Sequence, residues 1–231
     1  MPDFKKIGRN SRQRGGAWER GFAKAMGWTY VGSVRASLFP GDVVDGFRYP
    51  PGRWVGECKI QQPGELANLS VRSDWISQMF SNSERSGRHP VLALRITRKK
   101  TTYVVLPHES QTFLGIMSAG VIRPDTVWTT KTRGAGLGFV IQRSWLDRAG
   151  WEIANVEVER TRGFNKETFH WWVMAVEDFR RVLDQYEAHV DDIKQEERAI
   201  YRNKLKAHKA ALVAAKEAEC LTATDTLGED I

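Results

Sequence analysis

The chain has 231 residues, of which 41% are hydrophobic and 27% charged, and its formal net charge is +7. That length fits one large domain or a smaller domain with an appendage, and the apolar fraction is enough for a buried core. Two distant cysteines, Cys58 and Cys220, exclude a disulfide framework and a zinc site. No apolar run approaches the roughly 18 residues of a membrane span, and no signal peptide opens the chain. We therefore expect a cytoplasmic protein with no membrane partner.

The positive charge is concentrated in the first half of the chain. Residues 1–110 hold 18 Lys and Arg against 9 Asp and Glu, a net charge of +9, whereas the remainder holds 17 against 19, a net charge of −2. A basic half beside a near-neutral half indicates a polyanionic partner for the first half. A merely soluble basic domain would have the same composition, so charge alone leaves both interpretations open.

The first fifteen residues form a basic segment that we expect to be flexible. Its cationic side chains would lie along a phosphate backbone and release counterions there. These side chains are Lys5, Lys6, Arg9, Arg12 and Arg14. The alternative is a solvated tail with no contact. Residues 16–26 follow with a helical apolar stripe, and Glu19 lies near its first turn, where an acidic side chain also suits the helix dipole.

Residues 28–34 are rich in β-forming side chains, and residues 39–60 then predict two short strands joined by a Pro- and Gly-rich turn. Side chains two apart on a strand share a face, so Glu57 and Lys59 emerge together while Cys58 points into the core. If the strands pair as a hairpin, Asp42 reaches the same face. Asp45 competes with Asp42, but it precedes Gly46 and more naturally begins the turn. Two carboxylates beside an ammonium suit Mg²⁺-dependent hydrolysis of a phosphodiester.

The next segment predicts a helix over 73–85 and strands over 89–96 and 101–107. Gln78 lies on this helix and is either a surface residue or an auxiliary group that faces Asp42, Glu57 and Lys59. The turn between the two strands carries Arg98, Lys99 and Lys100. These three would reach a phosphate backbone or remain ordinary solvated charges.

The order of a helix, three strands, a helix and two strands indicates an α/β arrangement with a small mixed sheet and one crossover helix. With these elements in place, roughly the first 107 residues resemble the PD-(D/E)xK nuclease superfamily, and within it the archaeal-type and phage Holliday junction resolvases. The resemblance rests on four stretches of sequence. They are GGAWERGFAKAM with Glu19, PGDVVDG with Asp42, GECKI with Glu57 and Lys59, and WISQMF followed by PVLALRI.

This resemblance implies a fold, a metal site and a partner. The fold class is α/β, with a restriction-endonuclease-like core over 16–110, a small mixed sheet flanked by helices, and a C-terminal extension ending in a long charged helix. Glu19, Asp42 and Glu57 would bind Mg²⁺, for which Mn²⁺ would substitute, and Lys59 would stand beside the attacking water. The partner would be branched or duplex DNA, bound by a homodimer. One departure is that Gly41 separates Pro40 from Asp42 where the family has Pro-Asp.

The rest of the chain carries weaker signals. Residues 111–176 contain strand patterns at 121–130 and 136–142 and would either add strands to the sheet edge or form an accessory module. Residues 177–219 are charged and lack Gly and Pro, which predicts one long helix or two, and the apolar stripe does not sustain a coiled coil. A dimer contact through this helix stays open. Residues 220–231 are expected to be disordered.

Three functions remain in competition. The first is a structure-selective DNA endonuclease resembling a Holliday junction resolvase, with a role in DNA recombination and repair. The second uses the same site in a restriction-type, repair or exonuclease activity. The third is a non-catalytic DNA-binding protein. The presence of the whole set Glu19, Asp42, Glu57 and Lys59 favours an enzyme over the third.

Overall fold

The structure is a computed structural model. It describes residues 4–32, 41–44, 54–62, 68–97, 101–110, 115–117, 120, 122–124, 126–131, 137–146, 153–162 and 165–225, without the side chains of 4–12, 205 and 208–225. The chain divides into two compact units, unit 1 (Met1–Asp184) and unit 2 (Gln185–Ile231). No helix in the described ranges is long and apolar enough to cross a membrane.

Runs of strands are separated by helices along the described parts of the chain. Helices include α1 (Phe4–Met26), α2 (Ser73–Ser86), α3 (Arg143–Leu146) and α4 (Val176–Asp225). The first six strands are β1 (Thr29–Tyr30), β2 (Val43–Val44), β3 (Trp54–Gln61), β4 (Leu69–Val71), β5 (His89–Ile96) and β6 (Thr102–Pro107). The remaining strands are β7 (Thr126–Lys131), β8 (Phe139–Ile141), β9 (Ile153–Arg162) and β10 (Asn165–Ala175).

Unit 1 is organised around one eight-stranded mixed sheet with the order β1-β2-β3-β5-β6-β10-β9-β7, and β4 pairs separately with β8. Strands β3 and β5 are parallel, with α2 as the crossover between them, and Glu57 lies opposite Leu92. The short β2 is antiparallel to β3. Strand β10 is antiparallel to both of its neighbours, so Trp172 lies between Leu106 of β6 and Asn155 of β9.

Apolar side chains fill both faces of this sheet. On one face, Ile76 and Met79 of α2 join a cluster with Leu92, Val105 and Trp171. On the other face, aromatic rings from α1, β3 and α4 meet the ring of Trp28, which lies between α1 and β1. The rings in contact are those of Trp18 with Phe22, of Phe22 with Trp28, and of Phe179 with both Trp28 and Trp54. Helices cover both faces of the sheet. Glu57 and Lys59 of β3 lie on the face that α2 covers.

The mixed α/β class is confirmed, but the sheet is larger than the small one predicted. Three strands from the region beyond residue 110, β10, β9 and β7, continue it past β6. In β10, Trp171–Met174 are all buried, and a continuous apolar run has no alternation to distinguish a strand from a helix. Strand β9 does alternate, with Val156 and Val158 buried and the glutamate that follows each of them less buried, and this signal was missed. The compact unit therefore runs past residue 110, the predicted end of the core, to Asp184.

The N-terminal segment also differs from its prediction. Residues 1–15 were expected to be flexible, whereas α1 begins at Phe4 and is continuous to Met26. Lys and Arg are good helix formers, which is compatible with a helix in this basic segment.

We predict that Phe179→Ala lowers the free energy of unfolding by about 3–5 kcal/mol, because it removes a fully buried ring between Trp28 and Trp54. Urea denaturation followed by tryptophan fluorescence measures this loss. The control is Val127→Ala at a side chain that is 56% exposed, with an expected change within about 0.5 kcal/mol. Equal losses in the two variants would contradict the packing described here.

Candidate active site

Strand β3 supplies the central pair of the site. Glu57 is buried, with 2% of its side chain exposed, and Lys59 two residues later has 22% exposed. The ammonium Nζ of Lys59 donates a hydrogen bond to Oε1 of Glu57 at 2.5 Å. Cys58 between them is buried on the opposite face. The alternation read from the sequence is therefore present in the strand.

Asp42 is fixed beside this pair by the main chain. Its amide donates to the carbonyl of Gly56 at 2.9 Å, and its Oδ2 accepts from the amide of Cys58 at 2.7 Å. The predicted hairpin pairing is present, with Val43 opposite Gly56 in the antiparallel β2–β3 ladder. These contacts hold the Asp42 carboxylate against the strand that carries Glu57 and Lys59. Asp45, the competing acid, lies outside the described residues.

The chain needs glycine at two positions to bring Asp42 this close. Gly41 has a φ of +95°, and a Cβ there would come within 2.5 Å of Val55 Cγ2. A Cβ on Gly56 would come within 2.5 Å of Val43 Cγ2. The extra glycine between Pro40 and Asp42 is thus the residue that lets β2 approach β3.

Glu19 enters the site from α1. Its carboxylate is hydrogen-bonded by the side chain of Tyr30 on β1, and Asp42 and Lys59 are close enough to act on its charge. The guanidinium of Arg20 lies 5.6 Å from the centre of the Tyr30 ring. Tyr30 therefore joins the helix to the sheet at the acidic cluster, a role that no sequence motif indicated.

The three carboxylates repel one another in a partly desolvated setting. Burial, followed by the charge of Asp42, raises the pKa of Glu57 to about 7 despite the lysine beside it. Burial also raises the pKa of Asp42, and burial with the charge of Asp42 raises the pKa of Glu19. A carboxyl group whose ionised form is disfavoured in this way becomes easier to ionise when a cation is added.

Helix α2 provides two amides that hold the β3 pair. Gln78 Oε1 accepts a hydrogen bond from Lys59 Nζ at 3.0 Å, and Asn82 Nδ2 donates to Glu57 Oε2 at 2.8 Å. Both oxygens of Glu57 are thus occupied, one by Lys59 and one by Asn82. Gln78 was a candidate from the sequence, and Asn82 was missed. Its position four residues after Gln78, on the same helical face, was the available signal.

The donor set can be compared with what a metal ion requires. Within the described ranges, no three side chains of His, Cys, Asp or Glu converge closely enough to hold a metal ion. Mg²⁺, however, keeps several waters and is bound through one or two carboxylates with substrate phosphates. Asp42 and Glu57 are two carboxylates whose charges act on each other. Metal binding by Glu19, Asp42 and Glu57 together stays a prediction.

Only some of the residues predicted to contact DNA lie within the described ranges. Arg14 is exposed on α1, and the backbone of Lys5, Lys6, Arg9 and Arg12 lies in the same helix. The basic turn with Arg98, Lys99 and Lys100 lies outside the described residues. Their DNA contacts therefore stay predictions.

Comparisons with known proteins add little to this geometry. No family model matches the sequence, and no curated protein matches it. Among solved structures, the chain is similar to the 1.6 Å structure of Hjc, a Holliday junction resolvase from the archaeal hyperthermophile Archaeoglobus fulgidus. The two are 19% identical, the match covers 57% of this chain and 85% of Hjc, and the TM-score is 0.33. Because this TM-score is low, the function of the chain has to be inferred from the site itself.

We predict that Gly41→Ala lowers the free energy of unfolding more than Gly87→Ala does. Both glycines have a positive φ, but an added Cβ clashes with Val55 only at Gly41 and meets nothing within 4 Å at Gly87. The expected losses are about 1–2 kcal/mol for Gly87→Ala and about 1–3 kcal/mol more for Gly41→Ala. Chemical denaturation measures both, and equal losses would mean that β2 does not need this close approach.

Proposed function

We propose that this protein is a metal-dependent nuclease that hydrolyses phosphodiester bonds in DNA. The observation that carries the proposal is the grouping on one sheet face of a buried Glu57, Lys59 at 2.5 Å from it, and Asp42 fixed to the Cys58 amide. A purely structural ion pair would not need a second acid that raises the pKa of the first. This arrangement costs folding energy in the absence of a cation and so suits a site that binds one.

Asp42 and Glu57 would hold Mg²⁺ through their carboxylate oxygens, with Glu19 adding negative charge nearby. When bound, the ion would lower the pKa of its water and offset the charge of the phosphate. Lys59 has two partners, Glu57 and Gln78, which keep its ammonium at the edge of the acidic cluster. From there it would orient the attacking water or stabilise the charge that develops on the phosphate oxygens.

The substrate is inferred from charge and from the sequence motifs. The net charge of +9 over residues 1–110 favours a polyanion, and exposed cations such as Arg14 on α1 would contact backbone phosphates without reading bases. The motifs around Glu19, Asp42 and Glu57 resemble those of Holliday junction resolvases, so a four-way DNA junction is the substrate we propose. Other DNA structures are tested beside it.

The direct test is cleavage of labelled four-way junction, flap, duplex and single-stranded DNA in the presence of Mg²⁺. We expect paired symmetric nicks on the junction, with Mn²⁺ able to replace Mg²⁺. Glu57→Gln and Lys59→Ala should each lower the rate at least about 100-fold, since each removes a charge from the reacting centre. Arg85→Ala, an exposed cation at the end of α2, is the matched control and should cut at the wild-type rate.

The possible outcomes separate the functions. Cleavage of several DNA structures, or processive release of short products, would support the proposed active site but show that the four-way junction is not its specific substrate. Rates that stay unchanged in Glu57→Gln would mean that another site does the chemistry. An absence of metal-dependent cleavage of any DNA would overturn the proposal.

We also predict that Mg²⁺ raises the thermal unfolding midpoint of the wild-type protein. A cation that binds only the folded state adds about 2.7 kcal/mol of stability at one hundred times its Kd. Asp42→Asn should abolish this shift while its side-chain oxygen still accepts from the Cys58 amide. Without metal, Asp42→Asn should unfold at a higher temperature than the wild type, because it removes a charge that repels Glu57. Equal shifts with Mg²⁺ in both proteins would contradict a metal site at Asp42.

A further inference from the structure

Unit 2 carries a set of apolar side chains that face solvent. In the described part of the chain, the exposed large apolar residues are Val127, Val140, Ile193, Ile200 and Tyr201, and the last three lie in unit 2. Ile193 is 42% exposed, Ile200 is 55% exposed and Tyr201 is 68% exposed. Helices in proteins gain most of their stability by packing an apolar face against another element. An exposed apolar face on a helix of this length therefore points to a partner.

The apolar side chains follow a helical stripe. Tyr186, Val190, Ile193, Ile200 and Ala207 are spaced by 4, 3, 7 and 7 residues, which places them on one side of α4. The two heptad positions that this stripe skips, 197 and 204, hold Glu197 and Lys204. Charged residues in such a seam weaken a pair of helices and at the same time restrict which partner and orientation fit.

The charges of unit 2 are separated along the helix. Residues 187–197 hold five acidic side chains and one lysine, a net charge of −4. Residues 198–207 hold four basic side chains and no acidic one, a net charge of +4. We call these two segments the acidic half and the basic half.

This separation works against the helix when it is alone. Like charges occur four residues apart at Glu187 with Asp191, Asp192 with Glu196, Arg198 with Arg202, and Arg202 with Lys206. Each such pair destabilises an isolated helix by a few tenths of a kcal/mol. Opposite charges at three- or four-residue spacing within 187–207 involve Lys194 alone, with Asp191 and Glu197. The pattern favours charge pairing with another molecule over pairing within the helix.

We propose that the segment 186–207 pairs with the same segment of a second copy of this chain, in antiparallel orientation. In this arrangement the acidic half of each copy faces the basic half of the other, and the stripe with Ile193 and Ile200 is covered. A parallel pair would place acid on acid and base on base, at an electrostatic cost. The two-fold symmetry of a homodimer is compatible with an antiparallel helix pair. This pairing would form whether or not the protein cleaves DNA.

Sedimentation velocity on the full-length chain tests the partner. We expect dimers in the range of about 1–100 μM, with a Kd that rises when the salt concentration is raised. One variant gives both halves a net negative charge (Arg198→Glu, Arg202→Glu, Lys204→Glu), and a second gives both halves a net positive charge (Asp191→Lys, Asp192→Lys, Glu196→Lys). Each alone should dimerise at least about 100-fold more weakly than the wild type, and an equimolar mixture of the two should form heterodimers.

Two controls keep the test interpretable. Lys24→Glu, Arg85→Glu and Arg123→Glu together change the same number of exposed charges in unit 1 and should leave the dimer intact. All nine tryptophans lie between residues 18 and 172, so their fluorescence reports the folding of unit 1 in each variant. A wild-type chain that stays monomeric while the acidic variant loses DNA affinity would instead assign the basic half to nucleic acid and overturn the proposal. Charge variants that dimerise normally, or a mixture that stays monomeric, would overturn it as well.

Spin labels at Gln185 and Ala199, in a chain with Cys58→Ala and Cys220→Ala, test the orientation. In an antiparallel pair centred between residues 197 and 198, the two labels at position 185 would be about 40 Å apart, from a rise of 1.5 Å per residue. The two labels at position 199 would be about 10 Å apart, which is close to the interaxial distance of packed helices. Short distances at both positions would indicate a parallel pair and contradict the proposed orientation.

Discussion

The burial of the Glu57 carboxylate is the constraint on which the rest of unit 1 depends. Transferring an ionised carboxylate from water into a protein costs several kcal/mol unless other groups compensate. Here Lys59 and Asn82 each donate to one of its oxygens, and still its pKa is raised to about 7 by burial and by Asp42. The compensation is therefore incomplete in the protein alone. A cation between Asp42 and Glu57 would complete it, which links the energetics of the fold to the proposed chemistry.

The surrounding elements can be understood from what this group requires. Strand β3 needs a neighbour on each side, and the parallel β5 obliges the chain to cross over through α2. That crossover carries Gln78 and Asn82 to the β3 pair. On the other side, Gly41 and Gly56 let β2 approach closely enough for Asp42 to accept from the Cys58 amide. Tyr30 then connects Glu19 of α1 to the same cluster. The core on both faces keeps these elements in register.

Much of the site could be predicted from sequence because it depends on local rules. Strand alternation alone places Glu57 and Lys59 on one face. The apolar pair after Asp42 favours Asp42 over Asp45, which lies outside the described residues. Asn82 and Tyr30 could not be found in this way, since their roles come from a helix crossover and a strand pairing that bring distant segments together. In the sequence, Gly41 is only a departure from the family's motif. Its φ of +95° and its close approach to Val55 explain why this position requires glycine. The size of the sheet was missed because Trp171–Met174 of β10 form a continuous buried run with no period of two, and because the alternation in β9 was overlooked.

The most direct measurement is the position of a metal ion. Crystals grown with Mn²⁺, which scatters anomalously, would locate the cation without relying on activity. The account predicts an anomalous peak bonded to carboxylate oxygens of Asp42 and Glu57, with Lys59 beside the site and Asn82 still donating to Glu57. The absence of a peak between Asp42 and Glu57, in crystals where Mn²⁺ occupies other sites or none, would contradict the account.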